Sequence, residues 1–162
     1  MSKLPFDWPK QPNPPERPTI QDDDVVRLAA RNAVRRIADE WEDDEITADD
    51  TIVIQELYEA FSRNYDDDGY TLARRLETIF CWSPDAALVE ILDHDFLHRA
   101  RDEAVKQWVN VYGIKPELSI GTEVVCRHGI GVITEIAENA AEYVVQIGDK
   151  KFIVEYEGVT LP

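Results

Sequence analysis

The feature that most constrains the fold is a change of hydrophobic period at Gly113-Ile114-Lys115-Pro116. Before it, apolar residues recur at three- and four-residue intervals; after it they fall in short alternating runs. The first spacing lines one face of a helix and the second lines one face of a strand. A glycine at a helix end adopts the left-handed conformation at little cost, and a proline just beyond it prevents continuation. The expected fold class is therefore α+β, an N-terminal helical bundle of about four or five helices followed by a small antiparallel β-barrel. The expected divisions are a proline-rich extended arm over 1–21, an acidic helical domain over 22–113 and the barrel over 117–162.

In the helical part, Val26, Ala29, Ala30, Ala33, Ile37 and Trp41 share one face of a first helix, with Asp22, Asp23 and Asp24 supplying a cap and a favourable charge for the helix dipole. Arg27, Arg31 and Arg35 lie four apart on another face, within reach of Asp23 and Asp39, and read as a solvated, internally paired stripe. Asp50 or Thr51 caps a second helix carrying Ile54, Leu57, Tyr58, Phe61 and Tyr65. The run from Asp66 to Gly69 breaks it, and a third helix turns Leu72, Leu76, Ile79 and Phe80 inward. Ser83-Pro84-Asp85 reads as the start of a fourth, because serine caps and proline suits the first helical position. Leu88, Val89, Ile91 and Leu92 are its core residues. Asp93 and Asp95 open a last stretch through Leu97, Ala100, Ala104, Val105, Trp108 and Tyr112.

The arm holds six of the nine prolines, which fix φ and disfavour helix in the preceding residue. Phe6 and Trp8 within it are expected to tack the arm onto the chain's own surface; the other reading is a docking motif for another protein. After Glu117, strands are expected over 123–127, 131–136, 143–147 and 151–156, with a terminal piece over 159–161. The run Ile120-Gly121-Thr122-Glu123-Val124-Val125, followed by His128-Gly129-Ile130-Gly131-Val132-Ile133-Thr134-Glu135-Ile136, resembles the opening of an SH3-like barrel of the KOW or Tudor kind. The resemblance covers the C-terminal quarter of the chain and implies a binding module for RNA, proteins or modified peptides. With only Arg127, Lys150 and Lys151 as cations, the segment lacks the basic surface by which the KOW type holds nucleic acid.

The formal net charge is −16, from 17 Lys and Arg against 33 Asp and Glu. Such a charge repels nucleic acid and anionic membranes and attracts basic partners at rates that fall with salt. No run of apolar residues approaches the ~18 that a membrane span needs, and no secretory leader pattern stands at the start, so the expected location is the cytoplasm. Cys81 and Cys126 show no metal or redox spacing and read as small core residues.

Three constellations suggest chemistry. His94 and His98 would stand one turn apart on a helix, the spacing of two metal ligands, with Asp102 extending the same face; this is the basis of an alternative reading as a metal-dependent enzyme. Asn64, Asp66, Asp68 and Gly69 match the opening of a calcium loop, but Arg75 replaces the bidentate acid at its close, which favours an acidic interhelical turn. Cys126 and His128 lie two apart on a strand without an orienting third group. No catalytic residue, metal site or cofactor is assigned.

The densest charge lies at the junction of helices one and two: Asp39, Glu40, Glu42, Asp43, Asp44, Glu45, Asp49 and Asp50, with no base among them. One interpretation is a solvated acidic loop. The functional one is a non-enzymatic interaction protein that binds a basic protein partner, in its sharper form an inhibitor that imitates the phosphate array of DNA and so occupies the groove of a nucleic-acid-binding or defence complex. No direct nucleic-acid or membrane contact is expected, and no motif specifies an oligomeric state.

Overall fold

A computed structural model describes residues 6, 8, 9, 13–41 and 45–162. The chain runs α1 (Asp23–Glu40), α2 (Thr51–Arg63), α3 (Gly69–Phe80), α4 (Ala86–Leu92), α5 (Phe96–Tyr112), then β1 (Glu123–Cys126), β2 (Gly129–Ala137), β3 (Glu142–Ile147) and β4 (Lys150–Glu155). Among the described residues, five helices followed by a four-stranded antiparallel sheet make an α+β arrangement. Two compact units are present: one takes Arg17–Ala104 with Met1–Asp7, the other Val105–Pro162 with Trp8–Glu16, as far as these are described. The division falls within α5. Among the described residues no helix is long and apolar enough to cross a membrane.

In the first unit, α1 buries Val25, Val26, Leu28, Ala29, Ala30, Ala33, Val34 and Ile37. The alanines let α2 and α4 approach closely, while the larger residues fill the space between. Leu57, Phe61, Leu76, Leu88 and Leu92 complete this core from the other helices, each contributing about 1.5–3 kcal/mol by leaving water.

Helix ends explain where the sequence expectations shift. Asp22 stands at the N-cap of α1, but its carboxylate accepts from the amide and hydroxyl of Thr19 instead of from the helix. Asp85, one residue nearer the helix than Pro84, accepts from the Leu88 amide, so α4 begins at Ala86 and leaves Ser83 and Pro84 outside. Trp41 is the C-cap of α1 with extended backbone, and so leaves the helical stripe. α3 stops at Phe80 because Cys81 turns left-handed, with φ 60. Within α3, Ile79 is exposed and Phe80 half-buried, against the inward placement expected of both, because Leu72, Ala73 and Leu76 form the buried face of this helix. Cys81 itself, expected in the core, is exposed at the left-handed C-cap of α3, past the last residue of that helix's buried face.

The sheet of the second unit has the order β1-β2-β3-β4, with a register shift between Ile133 and Glu135. Val124, Ile133, Tyr143, Val145, Val154 and Val159 form its core, and Cys126 is packed against them. The expected terminal strand is reduced to a bridge, in which Thr160 exchanges both backbone hydrogen bonds with Val125 at 2.8 and 3.0 Å. The 3-10 turn Tyr156–Gly158 brings the chain from β4 to that edge of β1. Of the arm, Trp8 meets Tyr112 edge to face, and two donors one turn apart on α5 hold its carbonyls. The Trp108 indole donates to Pro15 at 3.0 Å and the Tyr112 hydroxyl to Pro9 at 2.7 Å.

Gly69 marks the tightest approach in the helical unit. A Cβ there would lie 2.4 Å from the Val89 carbonyl oxygen and 2.5 Å from the Asp93 amide nitrogen, both backbone atoms that cannot swing aside. Gly69→Ala should therefore separate α3 from α4 and cost at least about 2–3 kcal/mol, read as a lowered urea midpoint of the helical circular-dichroism signal.

Candidate functional site

The first unit sorts its carboxylates into those that hold backbone and those that face water. Asp50 accepts from the amides of Ile52 and Val53, Asp68 from Thr71 and Asp95 from His98, each closing a helix start whose N–H groups have no partner within the helix. Asp93 accepts from the Gly69 amide at 3.0 Å and ties α3 to the end of α4.

At the α1–α2 junction, Asp39, Glu40, Glu45 and Asp49 are exposed and Asp50 is half-buried as the α2 cap. Glu40 pairs with Arg36 at 2.9 Å. Asp39 and Asp49 make no ion pair among the described residues. Glu42, Asp43 and Asp44 lie outside the described residues. Of the arginine stripe, Arg27 pairs with Asp23 at 2.7 Å and lies 4.3 Å from the centre of the Tyr58 ring, while the Tyr58 hydroxyl donates to Asp23. These contacts join α1 to α2.

A cleft of about 300 Å³ gathers the calcium-like turn and the histidines into one place. Its floor includes Phe61, Leu72, Leu92 and Phe96, and its rim includes Asp66, Asp68, Asp93, Asp95, His94 and His98. The rim groups are largely engaged. Arg75, the position that departs from the calcium pattern, forms an ion pair with Asp67, whose side chain is 6% exposed, and also donates to the Ala60 carbonyl. Asn64 turns its amide to Asp67 at 2.8 Å, so this loop is closed by its own cation.

His94 does not stand on a helix. It lies between α4 and α5, its Nδ1 within 3.2–3.3 Å of the carbonyl oxygens of Ile91 and Glu90, which makes that nitrogen the protonated donor. His98 occupies the first turn of α5 and directs Nδ1 to Asp95 at 2.8 Å, and Asp102 pairs with Arg101 at 2.6 Å. The helix break between the two histidines removes the one-turn spacing on which a shared metal would depend. Among the described residues no three His, Cys, Asp or Glu side chains are gathered as a metal set. In the sheet, Cys126 packs with the core while His128 is exposed, stacked on Phe152 with ring centres 4.2 Å apart, so thiol and imidazole do not converge.

Sequence reasoning missed a pair of tryptophans beside the junction. Trp41, capping α1, and Trp82, following the left-handed turn after α3, lie with ring planes 6° apart and centres 6.2 Å apart. Each indole N–H is fixed by a carboxylate: Trp41 donates to Asp85 at 3.0 Å and Trp82 to Glu56 at 2.6 Å. Both rings are half-buried, whereas Trp108 is 2% exposed. The available signal was two tryptophans each placed just beyond a helix.

No protein-family model, curated protein or solved structure matches the chain.

Two carboxylates connect this geometry to pH. The Tyr58 hydroxyl, and then Arg27, hold Asp23 below its ordinary value of 3.8, and hydrogen bonds from Thr71 do the same for Asp68. A folded-state pKa below the unfolded one gives stability that is complete above the unfolded value and is lost as pH falls through the folded value. Urea denaturation at a series of pH values should show stability declining below about pH 4, with a shallower decline in Asp23→Asn and Asp68→Asn.

Proposed function

We propose that the chain is a non-enzymatic interaction protein whose acidic helical unit binds a basic protein partner, and that it acts as an inhibitor by presenting carboxylates in place of nucleic-acid phosphates. The observation that carries this reading is the exposed acidic set at the α1–α2 junction, where Asp39 and Asp49 face solvent without an ion-pair partner among the described residues. Carboxylates consumed as helix caps would have no such use. The formal charge of −16 extends the attraction beyond contact distance and repels nucleic acid itself.

In this reading the C-terminal sheet is an SH3-like barrel and supplies a second contact. Its support is the antiparallel order β1-β2-β3-β4 and the 3-10 turn that returns Thr160 to Val125. The outer strand positions Ile130 and Ile153 are exposed, which suits a protein ligand better than a phosphate backbone.

The test is affinity capture on the immobilised full-length chain, with identification of proteins eluted by salt and competition by duplex DNA. The expected outcome is a basic nucleic-acid-binding protein whose affinity falls at least about tenfold as salt rises from about 50 to about 500 mM, and which DNA displaces. Neutralising Glu42, Asp43, Asp44 and Glu45 together should abolish capture while the helical circular-dichroism signal is retained. A partner retained at high salt and indifferent to DNA would refute the mimicry.

A further inference from the structure

We infer that the parallel indoles of Trp41 and Trp82, with Asp85 and Glu56 at their edges, form a seat for an arginine side chain of the partner. The inference rests on the proposed basic partner and names the side chain that is recognised. Tryptophan offers the strongest aromatic face for a cation, and two half-exposed, parallel rings on an acidic unit form a π surface in a negative field. The ring centres are 6.2 Å apart, less than the ~7 Å that two van der Waals spacings would need to admit a third flat group between them. A ligand therefore stacks on the pair from outside, not within it.

The carboxylates decide which cation fits. Each indole N–H uses one oxygen, Oδ1 of Asp85 and Oε2 of Glu56. Among the described residues, Oδ2 of Asp85 and Oε1 of Glu56 have no hydrogen-bond partner. An indole N–H points outward in the ring plane, so both acids sit at ring edges. A guanidinium stacked on a ring directs its own N–H groups sideways, towards those edges, and satisfies stacking and hydrogen bonding together. An ammonium is a compact, strongly hydrated point charge that can meet a ring face or a carboxylate, but it is not flat and cannot stack while sending N–H groups to both edges. A nucleobase stacks equally well but brings its phosphates against Asp85 and Glu56.

The surroundings favour a protein segment over a free small cation. Ile52, 69% exposed, stands one turn before Glu56 on α2 and adds an exposed apolar side chain to the same helix that carries Glu56. Partly buried tryptophan at the centre with charge at the rim is the arrangement in which interface energy concentrates.

The test titrates the full-length chain with oligo-arginine and oligo-lysine peptides of equal length, by calorimetry and tryptophan fluorescence. The expected result is a roughly fivefold preference for oligo-arginine, with a change in indole emission. Trp82→Leu should bring the two peptides to near parity. Glu56→Gln, which keeps both rings in place, should reduce the preference by a smaller factor. Glu45→Gln with Asp49→Asn should weaken both peptides alike and leave the ratio unchanged. Equal, salt-sensitive binding of the two peptides by the unmodified chain would overturn the arginine seat and leave the acidic-interface reading standing. Absence of binding by either peptide would overturn both. Quenching of the indoles by an oligonucleotide would overturn the seat.

Discussion

The helical unit depends on one repeated interaction, an aspartate oxygen accepting a hydrogen bond from a backbone amide at a helix start. Asp50, Asp68, Asp85 and Asp95 each supply it, and Asp93 does so across to Gly69. α4 has 7 residues, too few to hold helical structure in water unaided, so its cap and its packing must act together. Acidity in this unit is thus partly architectural. The distinction has a mechanical meaning: removing a capping carboxylate loosens a helix, whereas removing a solvent-facing one changes only the field outside the protein.

Much of the architecture was readable from periodicity. The change at Gly113 separates helices from strands, and Val26, Ala29, Ala30, Ala33 and Ile37 of α1, Leu57 and Phe61 of α2, and Leu97, Ala100, Ala104, Val105 and Trp108 of α5 are buried on the stripes read from the sequence. Those stripes left out the equally buried Val25, Leu28, Val34, Val53, Ala60 and Phe96. The errors lie where one residue decides a boundary. Trp41 continues the arithmetic of α1 but sits just past its last hydrogen-bonded residue, and Cys81 ends α3 through a left-handed backbone that no hydrophobic pattern encodes. His94 and His98 have helical spacing in the sequence, yet the chain breaks between them because Asp95 begins a new helix.

The candidate site was less readable than the fold. Local charge density marks Asp39 to Asp50, since it needs no knowledge of folding. The Trp41–Trp82 pair arises from residues 41 positions apart, brought together only when α1 and α3 end near one another. The Asp67–Arg75 pair explains why the calcium-like turn carries a cation at its close: the arginine folds back to neutralise the loop that precedes it. The arm shows the same logic in the other unit. A proline-rich segment leaves its carbonyls without internal donors, and Trp108 and Tyr112 supply them.

The bridge between Val125 and Thr160 bears on how the protein behaves in a crowded solution. Without it, β1 would present a row of unpaired amides and carbonyls at the margin of the sheet, flanked by the apolar Val124 and Val125. Such an edge is a template for strand addition by another chain. Two hydrogen bonds from one residue occupy it, so Thr160 and the turn before it act as a guard against self-association, a role separate from any contribution to the core.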